Sequence, residues 1–411
     1  MQRHGVLMVS MYTSRFSEQH EGESPKNRPF FSNPLFYGPE LLFCISQVAE
    51  FRCKAFHNPS GIQQEMSSRE LEKIGKDGDR VKTRETISRN DERNSVLENI
   101  KACIKNKDIN KGSRIHANII TKGLLHKDLY INNALISMYA KCGALSKAEE
   151  LFDKLPKRNI VSWNSLISGY VQQGRGDKAL SRFKQMKCED ASPNAITFIC
   201  ILKACGSIQS IEIGEEIRAE VYKQGLLEGN FVLGTALVDM YVKCGALEKA
   251  MKALDELPTQ SVATWNAIIG GYAHHGLGYE ALNLFQRMQD EGFSPNEITF
   301  SCILKACGST RSIKKGEEIE AEVRRQELLA KSIILGNALV DMYAKCGLLT
   351  KANEVFDKLP MRNIVTWNSL INGYLLHGFA NEALNCYDRM RDEGFSPGAV
   401  TFACILKACG D

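Results

Sequence analysis

The three tryptophans of this chain, Trp163, Trp265 and Trp367, stand two equal steps of 102 residues apart. The same step relates Cys142, Cys244 and Cys346, each within a Lys-Cys-Gly triplet, and Cys103, Cys205, Cys307 and Cys409, each preceded by Lys-Ala. One ordinary core does not accommodate 411 residues, because single cores stop growing at about 250–300 residues. A fixed self-similarity offers another solution, a solenoid in which every unit buries its apolar face against its neighbours.

Each period resolves into three units. In the second period they are Ala195 to Asn230, Phe231 to Ser261 and Val262 to Asn296, of 36, 31 and 35 residues. In the third unit a short apolar stretch, TWNAIIGGYA, is followed by a break at His275 and Gly276, after which Ala281, Leu284, Phe285 and Met288 recur at helical spacing. Gly292 and Pro295 then end the unit, where a helix does not easily continue. The 31-residue unit has Gly245 between its helices and Pro258 after the second. One helical hairpin per unit predicts an all-α array. Glu327 stands where the other periods have Gly123 and Gly225, so a different helix cap is expected there.

A chain that is 44% apolar and 24% charged is not disordered throughout. Its net charge of +4 gives only a modest, salt-sensitive attraction to polyanions and does not by itself suggest nucleic acid. The 14 cysteines are scattered along a long chain with no apolar signal segment ahead of them, which predicts a reducing compartment. Cys200 and Cys205, five apart, would lie about 140° apart around a helix, so they do not share a metal; small buried residues are expected instead. No apolar run approaches a membrane span, the stretch from Leu41 to Ile45 being far too short, and a soluble protein without a membrane partner is expected. Residues 1–92 lack the period, and His57 to Glu92 is polar and mixed in charge. Arg3, Arg15, Ser10, Ser14 and Ser17, free of acids, suit an organelle transit peptide; Glu18, Glu21 and Glu23, which follow at once, suit a flexible tail equally.

Units of 35, 36 and 31 residues in strict rotation, carrying IVSWNSLISGY, ITFICILKACG and LVDMYVKCGALEKA, resemble the pentatricopeptide repeat proteins, and in particular the plant subclass that alternates standard, long and short motifs. The resemblance covers 93–411. Long motifs would be 93–128, 195–230 and 297–332, short motifs 129–159, 231–261 and 333–363, and standard motifs 160–194, 262–296 and 364–398, with a partial long motif at 399–411. It implies a right-handed superhelical solenoid of helix-turn-helix units, similar to tetratricopeptide repeats, that binds single-stranded organellar RNA, one base per unit.

The resemblance also implies that the fifth and last residues of a motif read the base edge, where an amide or hydroxyl donates and accepts without formal charge. In the standard motifs these pairs are Asn164 with Asn194, Asn266 with Asn296, and Asn368 with Gly398. In the short motifs they are Asn133 with Asn159, Thr235 with Ser261, and Asn337 with Asn363. Paired asparagines imply a preference for C or U at four units, whereas Thr235 with Ser261 and Asn368 with Gly398 depart from the usual pairs. Leu97, Ile199 and Ser301 at the fifth place of the long motifs suit spacing rather than reading. Val161, Ala263 and Val365, second in their motifs, would flank the bases. Against this stands a purely structural role, since Asn at a helix start caps backbone N–H groups and Asn beside Pro makes turns. The tryptophans, one residue from the reading Asn, are expected to point into the hairpin rather than stack on bases. His116, replaced by Arg218 and Glu320 in the later periods, marks a surface place of no fixed type.

Members of the subclass often end in a zinc-dependent cytidine deaminase with H-x-E and C-x-x-C elements. Neither occurs here, and the sequence stops at LKACGD within a first helix. Truncation is expected, or an editing factor whose deaminase acts in trans. With no phosphate-cradling Gly loop and no recurring Ser, His and Asp set, no catalytic residue, cofactor, metal site or small-molecule substrate is expected. The resulting expectation is an organellar specificity factor, mitochondrial or alternatively chloroplastic, that places C-to-U editing 3′ of its bound site. A solenoid that presents its face to peptides is the rival.

Overall fold

The computed structural model describes residues 93–123 and 128–410, which belong to one compact unit. The transit-peptide and tail readings of residues 1–92 lie outside the described residues. Those residues form 19 helices and no strand. They pair into hairpins: α1 (93–106) with α2 (Ile109–Thr121), α3 (Leu129–Lys141) with α4 (Leu145–Asp153), and α5 (Ile160–Gln172) with α6 (Gly176–Cys188). The second period continues with α7 (Ala195–Ile208) and α8 (Ile211–Lys223), α9 (Phe231–Lys243) and α10 (Leu247–Glu256), and α11 (Val262–His274) and α12 (Gly278–Asp290). The third holds α13 (Glu297–Thr310) and α14 (Ile313–Arg325), α15 (Ile333–Lys345) and α16 (Leu349–Lys358), and α17 (Ile364–Leu376) and α18 (Ala380–Asp392), followed by α19 (Ala399–Gly410).

The two helices of a hairpin differ in how they begin. Most first helices follow a residue whose side chain accepts from the first-turn amides, as Asp128 does for Tyr130 and Asn230 for Leu233. Second helices from α4 onward start without such a cap, because the turn itself supplies order; α2 differs, Asp108 accepting from the Lys111 N–H. After α3, Gly143 takes φ 86° and Ala144 N–H returns to the Tyr139 carbonyl, a Schellman closure that launches α4 two residues later. Glu327 departs from expectation here. It closes α14 with the same turn that Gly225 makes after α8, its φ of 53° matching 62°, and Leu328 N–H bonds to the Val323 carbonyl as Leu226 does to Val221. The cap is therefore unchanged and the side chain carries the strain of a left-handed backbone.

First helices stack on first helices, which explains why they are apolar on nearly every side whereas second helices bury one stripe. The approach is close. A Cβ added at Gly271 would lie 2.4 Å from Val242 Cγ1, and one at Gly169 or Gly373 would lie 2.4 Å from the Cβ of Ala140 or Ala344. Trp163, Trp265 and Trp367 are fully buried, as the sequence suggested, with Phe152 and Phe356 edge-on to the first and last at 4.6 and 4.5 Å. None of the three indole Nε1 groups has a hydrogen-bond partner. Cys103, Cys205 and Cys307 are fully buried free thiols, and burial pushes the latter two up to about 12, so they remain protonated and inert. Among the described residues no helix is long and apolar enough to cross a membrane.

Three substitutions at two positions test this packing. Glu327→Gly removes the strained φ and should raise the urea midpoint, a gain of about 1 kcal/mol. Trp265→Ala should cost about 3–5 kcal/mol through the cavity it opens. Trp265→Phe, which keeps the ring and discards an unpaired N–H, should cost clearly less in the same titration.

Candidate nucleic-acid interface

The junction between consecutive units is where the candidate residues meet. The last residue of a unit is the N-cap of the next first helix: Asn159 for α5, Asn194 for α7, Ser261 for α11, Asn296 for α13 and Asn363 for α17. Four of these caps are reciprocal, the Asn side chain accepting from the third helical amide while the hydroxyl of Ser162, Thr197, Thr299 or Thr366 accepts from the Asn backbone. The fifth residue of the unit before lies beside this cap, because its first helix stacks directly on the capped one.

Asn164 Nδ2 donates to Asn194 Oδ1 at 3.1 Å, and Thr197 Oγ1 donates to Asn164 Oδ1 at 2.7 Å. One period later Asn266 repeats both contacts, with Asn296 at 3.0 Å and Thr299 at 2.6 Å. Asn133 Nδ2 reaches Asn159 Oδ1 at 3.3 Å but has no hydroxyl on its Oδ1, since Ser162 Oγ is turned to Asn159. Asn337 is complementary: Thr366 Oγ1 donates to its Oδ1 and to Asn363 Oδ1, and its Nδ2 is buried without a partner. Thr235 meets Ser261 through Thr264 Oγ1, at 2.8 and 3.0 Å. Gly398 has no side chain, and its N–H reaches Thr401 Oγ1, which donates to Asn368 Oδ1 at 2.8 Å.

All six pairs are thus brought together, and they recur at the same place on successive first helices. They do not stand free. Asn133, Asn266 and Asn337 are only 5–7% exposed, while Asn164, Thr235 and Asn368 are half-buried. The open positions are the second ones. Val161 is 51% and Val365 37% exposed, with Ala263 half-buried between them. Tyr130, Ile196 and Val400, second in their own units, are exposed too and extend the apolar row into short and long units. The sequence reading passed over these three and over the hydroxyls that bridge five of the six pairs. An Asn-x-x-Thr spacing, as in NAIT, NEIT and NIVT, was the available signal for the bridges.

Models of the PPR repeat family match residues 158–207, 260–309 and 362–411, and models of the single PPR repeat match 133–160, 235–262 and 337–364. Together they cover more than half of the chain. The chain belongs to the pentatricopeptide repeat family. A chloroplastic pentatricopeptide repeat-containing protein of Arabidopsis thaliana is 37% identical over 77% of this chain and 51% of its own length. A putative mitochondrial one from the same plant is 35% identical over 75% of this chain and 49% of its own. The chain therefore spans about half the length of these curated pentatricopeptide repeat relatives. Among solved structures, the pentatricopeptide repeat protein PPR10 in complex with an 18-nt psaJ RNA element superimposes with a TM-score of 0.60 at 21% identity, over 73% of this chain and 45% of that one. PPR10 from maize gives 0.57 at 20% identity, over 73% and 43% of the two chains. At this identity the likeness is one of fold, a solenoid of pentatricopeptide hairpins.

The cap role of the last residue makes a separable prediction. Asn296→Ala should lose about 1 kcal/mol of stability by urea unfolding. Asn296→Asp retains an accepting oxygen at the cap and should stay within about 0.5 kcal/mol of the native chain.

Proposed function

We propose that the chain binds single-stranded RNA by sequence, one base per unit, through the paired fifth and last residues. The observation that carries this reading is their meeting at all six junctions that follow a short or a standard unit, beside a row of exposed apolar second residues, which suit contact with base faces. Membership of the pentatricopeptide repeat family and the fold shared with an RNA-bound member support it. The strict alternation of unit lengths supports the subclass of standard, long and short motifs.

Within this reading the strand runs 5′ to 3′ from the first unit to the last. The chain acts without a catalytic site of its own, as a specificity factor that places C-to-U editing 3′ of its site, with a deaminase supplied in trans. Relatives named as chloroplastic and mitochondrial support an organellar setting, for which we keep the mitochondrion as first choice and the chloroplast as alternative. A peptide-binding scaffold is favoured by one observation, the burial of Asn133, Asn266 and Asn337, each of which already engages at least one amide atom inside the junction.

A gel-shift titration of the whole chain distinguishes them. RNA carrying pyrimidines opposite the four paired-asparagine units should bind roughly tenfold or more tightly than a copy with purines there, and the preference should vanish in Asn164→Ala/Asn266→Ala. Equal weak binding to both RNAs, untouched by the substitutions, would leave the scaffold.

A further inference from the structure

The fifth residue of a first helix shares its face with the residues four and eight places on. In the second period that line runs from Thr235 to Asp239 and Lys243, and in the third from Asn337 to Asp341 and Lys345. Lys243 Nζ lies 2.7 Å from Asp239 Oδ2, whose side chain is only 8% exposed, and Lys345 Nζ lies 2.6 Å from Asp341 Oδ2. A carboxylate held this far from water depends on its partner. Glycine on the adjacent first helix makes the pose possible: a Cβ at Gly206 would press on Lys243 Cδ at 3.1 Å, and one at Gly308 on Lys345 Cδ at 3.3 Å. Lys203, on the helix that carries Gly206, faces the same group. Burial lowers its pKa, the nearby Lys243 lowers it further and Asp239 opposes both.

The first period is built differently at each of these places. Ser137 replaces the aspartate, Ile104 replaces the glycine, and Lys105 stands where the later periods have Ser207 and Ser309. Lys101 and Lys141 therefore occupy the places at which the second period sets Lys203 and Lys243 around one carboxylate.

We propose that Asp239 and Asp341 compete with RNA phosphate for Lys243 and Lys345: each holds the lysine one turn further on, so that the electrostatic share of binding is concentrated in the first period and discharged in the second and third. This rests on the RNA-binding reading above. The carboxylates lower affinity for any strand alike, and therefore raise the fraction of binding that depends on bases. Ser137 leaves the first period as the anchor.

The test is fluorescence anisotropy of the whole chain with the pyrimidine RNA and with its purine copy, across 50–300 mM KCl. Asp239→Asn/Asp341→Asn should bind both RNAs roughly tenfold more tightly at low salt and steepen the log–log salt slope by about 1.4, two further phosphates at about 0.7 each. Ser137→Asp, at a half-buried helix place that holds a lysine-paired carboxylate in the other two periods, should act oppositely, weakening both RNAs and flattening the slope by about 0.7. Circular dichroism of each variant checks that the helices persist, and the opposite signs exclude a common folding defect. Slopes and affinities unchanged in all variants of a chain that binds RNA would overturn the competitor role alone. No binding of either RNA by the native chain would overturn the RNA reading and this inference together.

Discussion

Everything in this molecule depends on first helices lying directly on one another. The distance between them is set by what is absent: at Gly169, Gly271 and Gly373 a single added carbon would strike the neighbouring helix. Because the helices touch backbone to side chain at these points, the fifth residue of one is delivered beside the capping residue of the next without any loop having to position it. Dispersion and burial hold the stack. Polar groups ride on it, and their register follows from the packing rather than from their own attraction.

One consequence is that the atoms proposed for recognition also hold the fold together. Asn296 caps α13, closes a reciprocal bond with Thr299 and accepts from Asn266. A base edge approaching this junction exchanges hydrogen bonds instead of finding vacant ones, and such exchanges contribute little net free energy each. Discrimination would then come from the misfit of a wrong edge, which leaves buried groups unpaired, more than from the gain of a right one. The unequal satisfaction of the junctions matters in that light. Asn266 has both amide atoms engaged, whereas Asn133 keeps an unpaired Oδ1 and Asn337 an unpaired Nδ2.

The all-helical solenoid was legible in the sequence because its cause is periodic. A step of 102 residues between tryptophans survives only where each unit meets the same neighbours. The burial of Trp163, Trp265 and Trp367 was legible for the same reason, as was the punctuation at Gly245 and Gly276. Other features were not. Glu327 has no residue-level reason to copy a glycine, yet the hairpin around it dictates the turn and the side chain yields. The bridging hydroxyls of Thr197, Thr264, Thr299, Thr366 and Thr401 were hidden because they belong to the following unit, and their partners lie about thirty positions back in the chain. The burial of Asn133, Asn266 and Asn337 was hidden too, since a count of polar residues at a helix start does not say how closely the next helix covers them.

The unbroken period also bears on how such a chain changes over generations. The boundary between α11 and α13 repeats that between α5 and α7 almost atom for atom, with Asn266, Asn296 and Thr299 in the places of Asn164, Asn194 and Thr197. A recombination event that duplicates or deletes one whole block of three hairpins therefore creates no unfamiliar surface anywhere in the stack. Loss of a single hairpin, by contrast, would set a long unit against a neighbour shaped for a short one. The molecule is built to lengthen and shorten in triplets, and selection can act on its reach separately from its lettering.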